Sequence, residues 1–429
     1  MTSQLKEFFD SDVDLVRMQS ERQQRLVQAM QTADVDALIL SDPLNVQYIA
    51  DASSLSRPAE PTVALFTADG KRHTFDAPVD AQAAAVSEMA MGTPNPAMAS
   101  IAELFRTEGC QRIAFDKLSI PDVMALQIGF GHPTNGRIHT GGANIAALAR
   151  AVKTTDEIEC IRRSQYIIEL CMEKVREVAN PGADYMQLMG AMAGYFSELD
   201  PSGEVLTTML GPAANGAILI WNVGSATPHN AAGEPPFPNP PFPSGPLAAG
   251  DVVVVDTTLR YYGLEGDWGR TWVIGEKPSA KLMDQHKRWC AVRDRVADAY
   301  RPGNTAADVL AAATAGGESR SWVDHLYLTH GIGLSPAEFP LIGSNPDSWY
   351  YQTLVEMGTY PAWHGDPHSG PWPARDEDIV LESGMVLVTE PIIWDPADGA
   401  GAYRSEDIYV VSDSGDPKLL SHASYAPFE

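Results

Sequence analysis

The sequence predicts an α/β N-terminal domain over residues 1–150, followed by a second domain over 151–429. Three observations lead there. The chain has 429 residues, more than one typical domain holds. Helical and strand patterns alternate as far as about residue 145, as in α/β domains, and a glycine-rich patch, "GHPTNGRIHTGGAN", closes that run at 131–144. Past the patch, helix–"NPGAD"–helix at 180–184 is echoed by helix–"RPGNT"–helix at 301–305. Pro-Gly punctuates many turns, so the echo alone leaves a repeat open. If it is real, the second domain has two related halves with a site between them.

In the first domain, residues 13–33 place Val13, Val16, Leu26, Val27 and Met30 at helical spacing among polar residues. "DALIL" at 36–40 reads as a strand, and "DPLNVQYIAD" at 42–51 as a turn and the start of the next element. Residues 62–76 read as a hairpin around Asp69-Gly70. "RIAFD" at 112–116 is another strand, with a helix opening near Pro121. In the second domain a long helix over 155–179 stops at Pro-Gly, and Asp184 caps the next one. Thr305 holds the equivalent place in the second motif. Residues 231–251 are dense in proline and suit a rigid loop or lid.

Composition narrows the function. Net charge is −26, spread along the chain, which argues against nucleic acid and anionic membrane as partners. No apolar run is long enough to span a bilayer. The first residues lack the basic start and apolar core of a signal peptide, so a cytoplasmic location is expected. Cys110, Cys160, Cys171 and Cys290 are scattered and read as reduced thiols.

The chemistry gathers in four stretches. In "VVVVDTTLRYYGLEGDWGRTW", four valines lead into Asp256, and Asp267 returns eleven residues later beyond a turn near 261–263. Across two strands the aspartates would face each other, with Cβ atoms roughly 4.5–5.5 Å apart. Carboxylates that close repel unless a proton or a cation intervenes. "LTHGIGLSPAEFP" sets His330 before paired glycines, "GMVLVTEPII" runs an apolar strand into Glu390, and "YRSEDIYVV" sets Glu406 at the head of another. A glutamate in an apolar strand is costly unless paired or metal-bound. Four carboxylates and one imidazole suit Mn²⁺, Fe²⁺, Co²⁺ or Zn²⁺, and two bridging carboxylates can hold two ions about 3.5–4 Å apart.

In their order these residues resemble the pita-bread metallohydrolases: methionine aminopeptidase, aminopeptidase P, prolidase and creatinase. Asp256, Asp267, Arg270 and Thr271 match the first signature, and "ADVDALILSDPLNVQYIAD" resembles the creatinase/prolidase-type N-terminal domain. The resemblance implies an α+β pita-bread domain with pseudo-two-fold halves after the α/β domain. It implies that Asp256 binds one divalent ion, His330 and Glu390 the other, and Asp267 and Glu406 both. It also implies a hydroxide held between the ions, with Glu390 as proton shuttle, His229 lining the substrate pocket, and Arg404 matching an arginine of many aminopeptidase P and prolidase sequences. A homodimer is expected on the same ground.

Two departures bear on the substrate. Ala337 stands where the peptidases carry a second histidine, and losing one such donor typically costs about 10²–10³ in rate. A dimethylsulfoniopropionate lyase of the same family has a similar "HGIG" stretch, but its extra aspartate is Thr258 here. Residues 345–378 form an insertion rich in Trp, Tyr, Pro and His. Trp221, Trp349, Tyr350, Trp363 and His364 are expected to wall the pocket, with His364 or His368 as stand-ins for the missing histidine. The expected function is a dinuclear hydrolase of an amide or other C–N bond in a short peptide or small metabolite. A metal-dependent lyase, or a non-catalytic binding protein, is the alternative.

Overall fold

The computed structural model describes residues 9, 12–49, 62–76, 94–130, 138–139, 141–201, 206–207, 218–222, 246–317, 328–343, 379–394 and 402–425. The chain divides into two compact units, one chiefly of Asp14–Thr154 and the other chiefly of residue 155 onward, which also includes the residues up to Val13. No described helix is long and apolar enough to cross a membrane. No cysteine forms a disulfide among the described residues.

The first unit is an α/β domain on a five-stranded sheet. Its elements are α1 (Leu15–Thr32), β1 (Ala37–Leu40), α2 (Pro43–Ile49), β2 (Thr62–Thr67), β3 (Arg72–Asp76), α3 (Ala97–Thr107), β4 (Ile113–Phe115), α4 (Ile120–Gly129), β5 (Ile138–His139) and α5 (Gly142–Ala151). The strand order is β3-β2-β1-β4-β5. β1 runs parallel to β4 and antiparallel to β2. All four residues of β1 are buried, as expected of a strand covered on both faces. Ile39 and Leu65 pack with Met98, Ile101, Phe105 and Leu126 from α3 and α4, while α5 lies against β1 and β4. Residues 42–51, read from the sequence only as a turn and the start of an element, contain the helix α2. Its first turn is held by Asp116 at the end of β4, which accepts from Ser41 N at 2.9 Å, Asp42 N at 3.1 Å and Asn45 Nδ2 at 3.0 Å.

The second unit is α+β. It holds α6 (Thr155–Val178), α7 (Tyr185–Leu199), β6 (Leu206–Thr207), β7 (Ile218–Asn222), β8 (Val252–Tyr261), β9 (Leu264–Val273), α8 (Ala280–Asp298) and α9 (Ala306–Thr314). Then follow β10 (Thr329–Gly331), β11 (Glu338–Ile342), β12 (Val386–Thr389), β13 (Ile392–Trp394), β14 (Ala402–Arg404), β15 (Asp407–Val410) and β16 (Lys418–Leu419). β8 pairs with β9 on one side and with β6 and β7 on the other. A second sheet runs β11-β10-β12-β15-β16, and β13 pairs with β14. Backbone bonds from Glu265 N to Gly333 O at 2.7 Å and from Glu406 N to Gly269 O at 3.0 Å tie β9 to the second sheet.

The Pro-Gly echo extends to matching hydrogen bonds. Asp184 and Thr305 each make a capping box at the head of a helix, satisfying amides that would otherwise be orphaned. Gly182 N bonds Leu247 O, and Gly303 N bonds Leu381 O. Leu247 N returns to Ala183 O, as Leu381 N returns to Asn304 O. Further on, Gly250 N meets Ile274 O and Gly384 N meets Val411 O. The strand after Gly250 carries Asp256 and the strand after Gly384 leads to Glu390, six residues on in each case. The two glycine-led strands therefore deliver one carboxylate each to corresponding places.

The turn expected near 261–263 is found, and one sequence expectation is corrected. The strand runs on past Asp256, where the apolar run stops. β8 continues to Tyr261, and the hairpin turns at Tyr262 and Gly263, both with positive φ (49° and 77°). Asp256 and Asp267, however, do not sit directly opposite. The register pairs Thr258 with Asp267 and Asp256 with Gly269, so the aspartates are diagonal neighbours on one face. The side-chain period of two is satisfied by either register, so the sequence did not discriminate.

Gly266, one residue before Asp267, lets β9 approach the backbone of α6. A Cβ there would lie 2.7 Å from Gln165 N and 2.9 Å from Ser164 C. Gly266→Ala is therefore expected to destabilise the protein by about 1–3 kcal/mol, seen as a lower urea midpoint with unchanged slope.

Candidate metal centre

The site is assembled where β8, β9, β10, β14 and the ends of β12 and β15 converge. Apolar strands carry the polar residues inward. Val253, Val254 and Val255 are at most 1% exposed, and Asp256 follows them. Val386–Thr389 is wholly buried and leads into Glu390. His330 lies in β10 between Thr329 and Gly331, paired with Val388. The hydroxyl of Tyr300 bonds Thr329 Oγ1 at 2.6 Å and Thr389 Oγ1 at 2.5 Å, fixing the residues before His330 and Glu390 together.

Ligand atoms of Asp256, Asp267 and Glu406 lie within 4.8 Å of one another. His330 and Glu390 stand beside them: His330 Nε2 is 3.5 Å from Asp267 Oδ2 and 3.1 Å from Glu390 Oε1. The other ring nitrogen, Nδ1, is 2.9 Å from Gly331 O. A carbonyl only accepts, so Nδ1 carries the proton and Nε2 is the atom left to a cation. The Arg404 guanidinium lies among the acids. Nη1 donates to Asp256 Oδ2 at 2.8 Å, Nε to Glu390 Oε2 at 3.1 Å, and Nη2 meets both Glu390 and Glu406.

Burial drives the electrostatics. It pushes the carboxyls of Asp267 and Glu406 well above the usual range, and that of Asp256 up despite Arg404. The neighbouring acids add to each rise. Glu390 goes the other way: burial raises it, but Arg404 and His330 together pull it down to about 2. Burial opposes the charge on His330, yet Glu390 and Asp267 outweigh it and raise its pKa. Four carboxyls meet a single guanidinium and one imidazole in this buried cluster.

The donor set fits divalent cations on one further observation. Glu406 is 0% exposed, and neither carboxylate oxygen has a hydrogen-bond partner among the described residues. Its Oε1 touches Arg404 as an ion pair without hydrogen-bond alignment. Gly269 makes room for this carboxylate: a Cβ there would lie 2.7 Å from Glu406 Cδ. A buried acid with unsatisfied oxygens, facing two more acids, is what a bridging metal ligand requires.

Support residues escaped the sequence reading. Thr271 had been noted only as part of a motif. Its hydroxyl donates to Arg404 O at 2.6 Å and accepts from Arg404 N at 3.0 Å, pinning β14 to β9. Arg270 Nη1 donates to Gly269 O at 2.8 Å and to Glu406 O. Gln165 Oε1 accepts from Asp267 N at 3.1 Å. Gln165 is a fully buried amide on a helix face that otherwise packs against β9, and that mismatch was the available signal. Ala337 is half-buried beside Glu338. His229, Trp349, Tyr350, Trp363, His364, His368 and most of the proline-rich loop lie outside the described residues, and Trp221 is described only as backbone of β7.

A helix-backed pair of sheets with an acidic cage and one imidazole defines a pita-bread metallohydrolase. Known proteins agree. The model of the metallopeptidase family M24 matches residues 159–413, and that of the creatinase/prolidase N-terminal domain matches 22–129. The chain belongs to metallopeptidase family M24, a family of metal-dependent hydrolases. It is 23% identical over 414 residues to an Xaa-Pro dipeptidase of Pyrococcus furiosus, covering 93% of this chain and 97% of that protein. It is also 23% identical over 443 residues to a dimethylsulfoniopropionate lyase of Roseobacter denitrificans, covering 95% and 87%. The fold matches that of an Xaa-Pro dipeptidase from Bacillus anthracis with TM-score 0.65 at 18% identity, over 95% of this chain and 98% of that one. Aminopeptidase P from E. coli gives 0.62 at 14% identity, over 98% and 96%.

Arg404→Ala should destabilise the metal-free protein by about 3–5 kcal/mol, because it strips the counter-charge from three buried acids. Saturating Mn²⁺ should recover most of the loss in the same thermal melt.

Proposed function

We propose that this chain is a dinuclear-metal hydrolase that cuts the C–N bond of an Xaa-Pro dipeptide or a similarly small amide. Residues 151–429 would carry the chemistry. The supporting observation is the buried meeting of Asp256, Asp267 and Glu406, with the Glu406 oxygens unsatisfied. In this reading Asp256 holds one divalent ion, His330 and Glu390 hold the other, and Asp267 and Glu406 hold both. Such a pair, when bound, supplies an activated water at neutral pH and Lewis acidity toward a carbonyl.

The protein's own residues supply the rest. Arg404 holds Oε2 of Glu390, leaving Oε1 directed at the His330 side of the cage. Glu390 is ionised there, so its Oε1 is open to take a proton from the attacking water and pass it to the leaving amine, though Arg404 and His330 weaken it as a base while the site is metal-free. Gly331 O fixes the ring of His330, and Thr271 fixes the backbone of Arg404. The unit thus presents its groups with little left to reorganise, which is where electrostatic catalysis gains most.

Ala337 favours a second reading. Without the usual histidine donor, a tetrahedral intermediate of peptide cleavage loses one stabilising contact. The full-length similarity to a dimethylsulfoniopropionate lyase points to elimination from a small substrate, with Glu390 removing a carbon-bound proton and no water consumed.

Manganese-loaded protein in H₂¹⁸O, given Xaa-Pro dipeptides and dimethylsulfoniopropionate in separate reactions, distinguishes the two. Hydrolysis places label in the new carboxylate of the released N-terminal amino acid; dimethyl sulfide with no label would replace this reading by the lyase. Glu390→Gln should lower kcat by about 10²–10⁴-fold without unfolding the protein, measured by steady-state kinetics and circular dichroism. Asp267→Ala should leave the purified protein without its pair of ions in elemental analysis.

A further inference from the structure

We propose that the C-terminal segment, residues 421–425, is a positioning clamp for the metal centre, acting through Glu169, Arg270 and Tyr425. The proposal rests on reading the five-residue cage as a metal centre, and adds the residues that set its shape. None of the clamp residues belongs to that cage. They act through the backbone of the strands that carry Asp267 and Glu406.

One arm reaches Asp267. Glu169 on α6 is buried, and its Oε1 accepts from His422 N at 2.7 Å and from Gln165 Nε2 at 3.3 Å. An amide that gives its nitrogen to a carboxylate must present its oxygen elsewhere. Here that oxygen accepts from Asp267 N at 3.1 Å. The tail, Glu169 and Gln165 thus form one line of hydrogen bonds ending on a proposed bridging ligand.

The other arm reaches Glu406. Arg270 donates to the carbonyl of Glu406, and its Nη2 reaches Asp407 Oδ1 at 3.3 Å and Ala423 O at 3.5 Å. The second oxygen of Asp407 accepts from the Tyr425 hydroxyl and from Arg293 Nη1 at 3.3 Å. The ring of Tyr425 lies 4.7 Å from the Arg270 guanidinium and 5.3 Å from that of Arg293. Ser421 Oγ accepts from Ile408 N at 3.0 Å, two residues past Glu406.

The geometry has a physical purpose. Asp267 and Glu406 repel each other in the metal-free protein, and each sits on a different strand. The tail follows both in the chain and fastens both. A bridging carboxylate displaced by a fraction of an ångström serves one ion well and the other badly. Outer-shell partners of this kind typically contribute about 10–100-fold in metal affinity.

Cobalt(II) titration of the metal-free, full-length protein, followed by visible absorption, tests the clamp. The samples are wild type, Glu169→Ala, Glu169→Gln and Tyr425→Phe. Glu169→Ala and Tyr425→Phe are expected to weaken the second equivalent by about 10–100-fold. Glu169→Gln keeps the accepting oxygen and should stay within about threefold of wild type. Tyr425→Phe removes one oxygen, so it carries the test if Glu169→Ala misfolds. Two equivalents bound equally well by wild type and by both weakened variants would overturn the clamp alone. So would a Glu169→Gln protein as weak as Glu169→Ala. Wild-type protein that takes up no cobalt would overturn the metal-centre reading and the clamp with it.

Discussion

Four acids crowd one guanidinium inside an apolar interior, and the larger unit is organised around that crowding. Taking a carboxylate out of water costs several kcal/mol even after relaxation. Arg404 answers part of the cost by touching Asp256, Glu390 and Glu406 at once. It does not answer all of it, since the carboxyls of Asp267 and Glu406 remain well above their ordinary pKa. On the proposed reading, cations answer the remainder. The cluster is buried, with Asp256 and Asp267 at 8% and 6% exposed and Glu390, Glu406, His330 and Arg404 less, so little solvent reaches it. The same dryness strengthens every attraction once the charge is balanced.

Repetition explains how so unfavourable a cluster is assembled. Each half opens with a capped helix after a Pro-Gly turn and then sends a glycine-led strand inward, with the same pattern of backbone bonds. The strands end their apolar runs in Asp256 and Glu390. The remaining members come from the returning elements: Asp267 and His330 on strands, and Arg404 and Glu406 flanking the turn into β15. Thr271 and Arg270 then stitch one half to the other close to the acids, while Tyr300 ties β10 to Thr389 within the second half. The residues proposed as ligands are thus fixed by bonds to backbone and hydroxyl groups.

Much of this was legible in the sequence. Valine runs ending in acids mark inward strands with a chemical task, and the Pro-Gly echo marked two helix starts whose capping boxes are real. Register was not legible, because Asp256 pairs as well with Gly269 as with Asp267 in a pattern of period two. Nor was the helix at Pro43–Ile49, a segment too short for its apolar spacing to be distinguished from a turn. The supporting residues stayed hidden for a different reason. Glu169 and Tyr425 have ordinary local surroundings in the sequence, and for Gln165 and the motif residue Arg270 the partners stand far away in the chain. Arg404 was found through resemblance, but its contact with three acids is a property of the folded site alone.

Crystals grown with manganese and measured by anomalous diffraction test the central claim most directly. The account predicts two anomalous peaks about 3.5–4 Å apart, bridged by Asp267 and Glu406, with His330 Nε2 bound to one of them. No peak in the cage, or manganese bound only at surface acids with the cage still closed on Arg404, would contradict it.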